Sequence, residues 1–160
     1  MYNIPMTRFK LVAMGGTFDI VHKGHLELLR GAFSISSKVI IGLTSDEFAR
    51  KKGKCPEHNY TQRYKILEDA ILENFPNSQY HIAKLENDFG PAVLEKEVEA
   101  LVVSDETSSK GAELNRLRAT KNSPPVEIIV IPMALAKDGT RISTTRIKKS
   151  EIDSNGNILN

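Results

Sequence analysis

The stretch "RFKLVAMGGTFDIVHKGHLELLRGAF", residues 8–33, decides the fold. Its apolar run "RFKLVAM" (8–14) stops at Gly15-Gly16, and Leu26, Leu29 and Phe33 then recur at helical spacing after Gly24. A strand gives way to a helix, and the junction carries Thr17, Asp19, His22 and His25. Glycines without side chains let a planar or anionic group approach the backbone closely. The helix start, near Lys23, offers free N–H groups and the positive end of the dipole to an anion. Thr17 adds a hydroxyl, and His22 and His25 share one face of the first turn. Two imidazoles over an anion pocket suit a phosphate in transfer, because negative charge grows on its non-bridging oxygens.

Four further runs have the same apolar, β-branched character: "KVIIGL" (38–43), "QYHIAKL" (79–85), "ALVVS" (100–104) and "VEIIVIP" (126–132). Helical spacing separates them, with Tyr64, Leu67, Ile71 and Phe75 in 60–75, and a third candidate over 108–121. Strands alternating with helices predict α/β: a Rossmann-like, doubly wound parallel sheet with helices on both faces, as a single domain over 1–160. Ligands on such sheets bind at the carboxyl ends of the strands, where the opening stretch begins. Residues 1–7 and the polar tail from about Asp153 are expected to be loosely ordered.

Composition narrows the function. Trp is absent and aromatics are 6%, which disfavours a base-stacking platform. Lys and Arg number 22 against 20 acidic residues, without the clustered basic excess of a nucleic-acid binder. Cys55 has no partner for an internal disulfide, "MYNIPMTRFK" holds no signal-like apolar region, and no run is long enough to span a bilayer. The expectation is a cytoplasmic protein without nucleic-acid or membrane partners, a monomer or small homo-oligomer.

Other phosphate motifs fail. No Lys-Ser/Thr pair follows the glycines, and G-x-G-x-x-G is absent. Two His with one Asp and no Cys make a poor zinc set, so no protein-held metal is expected. Taken singly, the residues read more blandly, as a turn capped by Asp19 with two solvent-facing histidines. A second stretch changes the balance. "DGTRISTTRIKK" (138–149) places Ser143, Thr144 and Thr145 at the start of a short helix with Arg146, Lys148 and Lys149. Alone it is a capped surface helix. Paired with the first stretch, it would clamp one triphosphate from a second side.

"GGTFDIVHKGH" resembles the T/H-x-G-H signature of the nucleotidylyltransferase superfamily, and "ISTT" (142–145) resembles its second signature. Segments 41–54, 102–118 and 131–153 are similar to the archaeal and eukaryotic phosphopantetheine adenylyltransferases, and the resemblance covers nearly the whole chain. It implies transfer of the adenylyl group of ATP to 4′-phosphopantetheine, with magnesium (Mg2+) carried by the nucleotide.

It also implies roles for particular residues. His25 and His22 would be catalytic, together with Lys51 and Lys52, and Thr17, Lys51 and Lys52 would meet the acceptor. ATP contacts would come from Gly15, Gly16, Thr17, Phe18, His22 and His25 at the first motif. Asp105, Glu106, Thr107 and Asn115 would add the adenosine side, and Ile142, Ser143, Thr144, Thr145 and Arg146 the second motif. Arg118 is a weaker candidate, and Tyr60 and Arg63 match a Tyr-x-x-Arg element that serves ligand contact or loop packing.

Read without the family, Lys51, Lys52 and Lys54 are a solvated run, and His58, His81 and Cys55 are structural or surface residues. Thr144 departs from the adenylyl branch toward cytidylyltransferases, which bears on nucleotide choice. The alternatives are transfer to another phosphorylated acceptor, such as a polyol phosphate with CTP or a flavin mononucleotide with ATP, and a nucleotide sensor without turnover.

Overall fold

The computed structural model describes residues 8–132, 135–140 and 142–159. Residues 1–7, for which loose order is expected, lie outside that set. Five strands form one parallel sheet in the order β3-β2-β1-β4-β5. They are β1 (Phe9–Gly16), β2 (Ser36–Thr44), β3 (Tyr80–Leu85), β4 (Ala100–Ser104) and β5 (Glu127–Ile131), matching the five apolar runs. The helices read from spacing are α1 (Lys23–Ile35), α3 (Tyr60–Asn74) and α5 (Lys110–Thr120). Short helices α2 (Asp46–Lys51), α4 (Pro91–Leu94) and α6 (Thr144–Lys148) complete the set, with a 3-10 turn at Asp105–Thr107. A six-residue or four-residue helix is too short to display a hydrophobic period, which is why α2 and α4 escape a reading of spacing.

Alternation along the strands divides the core between the two sheet faces. Val12, Met14 and Val102 pack with Leu29 of α1 and with Leu67 and Ile71 of α3. Ala13, Leu101 and Val103 face the other way, against Ala92 of α4 and Leu114 of α5. Helices therefore cover both faces, as a Rossmann-like sheet requires. The chain reverses its winding between β1 and β4, so a crevice opens beyond the carboxyl ends of those strands.

The tail from Asp153 folds back as a hydrogen-bonded turn. Ile152 is fully buried beside Ala136 and Ile142 and bridges Ile158 in antiparallel fashion. Asp153 accepts hydrogen bonds from the N–H groups of Asn155 and Asn157 and from Asn157 Nδ2. The Ser154 carbonyl accepts from Lys23 N at 2.9 Å, joining the tail to the start of α1. The polar composition that suggests looseness is what builds this turn.

Candidate active site

After β1 the chain turns through Thr17–Val21 into α1. Phe18 adopts φ 53°, a left-handed conformation that costs a non-glycine residue on the order of 1–3 kcal/mol. Two contacts hold it there. Its ring is 1% exposed, and Arg63 Nη1 donates to the preceding Thr17 carbonyl at 2.9 Å. The Phe18 ring lies 4.9 Å from that of His25, so it backs the imidazole against the core.

His22 is the N-cap of α1, and its Nδ1 accepts from Gly24 N at 3.0 Å. His25 Nδ1 accepts from His22 N at 3.2 Å, and the two rings stack with centroids 3.9 Å apart. A ring nitrogen that accepts a hydrogen bond carries no proton, so each neutral imidazole keeps its proton on Nε2. Both histidines are thereby set as Nε2–H donors. The glycines act partly by packing: a Cβ on Gly15 would meet Leu85 and the Gly42 carbonyl, and one on Gly16 would meet the Phe18 ring.

A cavity of about 780 Å³ opens over these residues. Gly15, Gly16, Thr17, His22 and His25 form one wall. Phe48, Lys52, Lys54 and Cys55 line the side beyond β2, and Ser104, Thr107 and Lys110 the side beyond β4. Ile142, Ser143 and Lys148 enter from the C-terminal segment. The two sequence motifs thus meet on one space, although they sit at opposite ends of the chain. Ser143 Oγ accepts from Arg146 N at 3.2 Å and so caps the last helix.

Several expected residues are placed elsewhere. Lys51 is 71% exposed, pairs with Glu47 one turn back, and is not on the cavity wall; Lys52, which ends the same helix, is. Asn115 exchanges hydrogen bonds with the Val126 backbone, 3.0 and 2.7 Å, and anchors α5 to the approach of β5. Arg118 is fully buried and donates to the carbonyls of Ala92, Glu95, Val98 and Pro124, which makes it a strut. Arg146 pairs with Asp138 and Glu151, and Asp105 is exposed in its 3-10 turn; neither lines the cavity. The side chains of Glu106, Thr144 and Thr145 lie outside the described residues.

Arg63 also proves structural, donating to the carbonyls of Thr44 and His58 and pairing with Asp46 at 2.8 Å. Tyr60, beside it, is half-buried and packs against the core with Tyr64.

Asp19 has a larger part than a turn cap. It is 4% exposed and accepts from Glu57 N and His58 N at 3.0 Å each. His58 Nδ1 lies 2.9 Å away and Lys148 Nζ 2.5 Å away. Burial pushes the carboxyl pKa up, but the bonds from Lys148, the two N–H groups and His58 outweigh it. The group is held well below the usual carboxylate range. One carboxylate therefore joins the β1–α1 loop, the segment before α3, and α6. His58, for which the sequence leaves a structural or a surface role open, takes the structural one as part of that join. Lys54 is exposed, as a solvated run implies, and its Nζ also reaches Thr17 Oγ1 at 3.4 Å.

The cytidylyltransferase-like family matches residues 13–150. A phosphopantetheine adenylyltransferase of Methanothermobacter thermautotrophicus is 42% identical over 95% of this chain and 91% of its own. One of Pyrococcus horikoshii is also 42% identical, over 95% and 96%. A crystal structure of a protein with unknown function from Archaeoglobus fulgidus superposes with a TM-score of 0.67 at 26% identity, covering 77% of this chain and 89% of that one. Pantoate-beta-alanine ligase from Francisella tularensis shares the fold, with a TM-score of 0.55 at 15% identity over 90% of this chain and 66% of its own. With relatives matched over nearly their whole length and both motifs on one cavity, the chain belongs to the phosphopantetheine adenylyltransferase family, within the cytidylyltransferase-like group.

Proposed function

We propose that the protein transfers the adenylyl group of ATP to 4′-phosphopantetheine, giving dephospho-coenzyme A and pyrophosphate in coenzyme A biosynthesis. The observation that carries this is the meeting of the histidine pair and the Ser143 helix start on one cavity, in a chain whose full-length relatives bear that enzyme's name.

An acceptor phosphate monoester has a second pKa of about 6, so at neutral pH it is already a nucleophile and needs little general-base help. Its oxygen attacks the α-phosphorus in line, the bond from that phosphorus to the β-phosphate oxygen breaks, and pyrophosphate leaves. The obstacle is repulsion between two polyanions. Nε2–H of His25 donates to the α-phosphate oxygens as their charge grows, while His22 and Thr17 hold the phosphates beside it. Lys52 draws in the acceptor phosphate, and Lys148, steadied by Asp19, meets the triphosphate from the other side.

Among the described residues no three His, Cys, Asp or Glu side chains group closely enough to hold a metal. The cavity's donors are N–H and ammonium groups suited to anions, which fits magnesium bound by the nucleotide's own phosphate oxygens. When bound there it supplies charge neutralisation.

Mass spectrometry of the purified protein with magnesium, 4′-phosphopantetheine and either ATP or CTP tests the reading. The expected result is dephospho-coenzyme A from ATP with little product from CTP. No product from either nucleotide would overturn it.

A further inference from the structure

Asp88, in the loop after β3, stands between two lysines that reach it from opposite sides of β1. Lys52 ends α2, beyond β2, and its Nζ lies 3.3 Å from Asp88 Oδ1. Lys110 opens α5, beyond β4, and its Nζ lies 3.4 Å from the same oxygen. All three side chains line the cavity. Lys52 is further oriented by the Phe48 ring, 5.0 Å from its Nζ.

We propose, on the footing of the functional reading above, that Lys110 is a second acceptor-phosphate ligand opposite Lys52. Asp88 is the anion that keeps the two ammonium groups facing each other until the acceptor's phosphate takes its place.

Three observations carry this. First, the bridge contributes little as a structural tie: the three side chains are 32–43% exposed, and exposed pairs of this kind contribute about 0–1 kcal/mol. Second, the charge is poised for an anion. Burial raises the Asp88 pKa, but Lys110 and Lys52 outweigh it and keep the carboxylate ionised, so the trio carries a net single positive charge. Third, each ammonium has three donors, and the described contacts to Asp88 engage one on each. A dianionic phosphate offers more charge and three terminal oxygens, so it can bridge both lysines where one carboxylate oxygen does so now.

Asp88 consequently has two effects. It pre-aligns the lysines, and it competes with the substrate for them. Its removal leaves the lysines in the cavity without that competitor, whereas removal of Lys110 takes away one ligand of the phosphate.

The test is calorimetric titration of the full-length protein with 4′-phosphopantetheine, with pantetheine lacking the phosphate, and with inorganic phosphate. Thermal unfolding of every variant runs alongside. Lys110→Met is expected to weaken 4′-phosphopantetheine binding about tenfold, the loss typical of one charge-assisted hydrogen bond, and to leave pantetheine binding unchanged. Lys110→Arg should restore most of that loss. Asp88→Asn should tighten 4′-phosphopantetheine and inorganic phosphate by about threefold at low salt, with the gain shrinking as salt screens the charges. Lys121→Met, an exposed lysine at the far end of α5, should bind as wild type.

Unchanged phosphate binding in Lys110→Met, with a lowered melting temperature, would mean that the bridge is only a loop tie and would overturn the proposal. If the wild-type protein fails to turn over 4′-phosphopantetheine, the functional reading falls. The inorganic phosphate titrations then still decide whether Lys110 and Asp88 govern anion binding.

Discussion

Lys148 Nζ of the last helix lies 2.5 Å from Asp19 Oδ2 in the first loop and ties the C-terminal segment to the phosphate-facing wall. Asp19 meets four donors among the described residues, and its pKa is depressed in the folded state. A depressed carboxylate pKa stabilises the fold above its unfolded value, about 3.9, and the contribution is lost as pH falls through the folded value. Asp19→Asn should therefore cost on the order of 1–3 kcal/mol at neutral pH, with the gap to wild type narrowing below about pH 4. Urea midpoints from pH 7 to pH 3 provide the check; a gap that widens in acid contradicts the assignment.

The histidine pair separates catalysis from capping. His25→Ala is expected to lower kcat by about 10²–10³ with ATP affinity nearly unchanged, since the donor acts on charge that develops in transfer. His22→Ala should also lose the N-cap of α1, at about 0.5–2 kcal/mol. His22→Asn restores a cap without an imidazole. Its melting temperature should recover while its activity does not, and recovery of both would reduce His22 to a structural residue.

The two adjacent lysines are predicted to differ. Lys52→Met should raise the acceptor KM by about tenfold, because Lys52 lines the cavity. Lys51→Met should stay within about twofold of wild type, since its ammonium is exposed beside Glu47. Steady-state kinetics on both variants would expose an error if Lys51 had the larger effect.

Arg63 and Arg118 are fully buried and are bound mainly to backbone carbonyls. Replacing either by Met leaves several buried carbonyls without donors, at about 3–5 kcal/mol. Lys should not rescue either site, because a single ammonium cannot reproduce the planar fork. Chemical denaturation measures the loss, and ligand affinity should change only as far as the fold does.

Much of the molecule was legible in the residues themselves. Continuous apolar runs mark strands buried on two faces, and the spacing of Leu26, Leu29 and Phe33 and of Tyr64, Leu67 and Ile71 marks two of the helices laid over them. The chemistry of the first wall was equally local. His22, His25 and Thr17 lie within one loop and one turn, where sequence spacing equals spatial proximity.

The other assignments depended on contacts that no local pattern encodes. Asn115, Arg118 and Arg146 look like ligands by type and position, but each is satisfied by the protein's own groups. Lys54, Lys110 and Asp88 look like ordinary surface charges until β2, β3 and β4 are set beside β1. The sequence by itself determined the alternation of strand and helix, the two motifs and the polarity of the ligand, because these follow from periodicity and residue chemistry. Only the tertiary structure decided which lysine faces the cavity, which arginines brace the loops, and that Asp19 joins the two ends of the chain. Those outcomes arise from long-range burial, where a charge must find its partner wherever the sheet order places one.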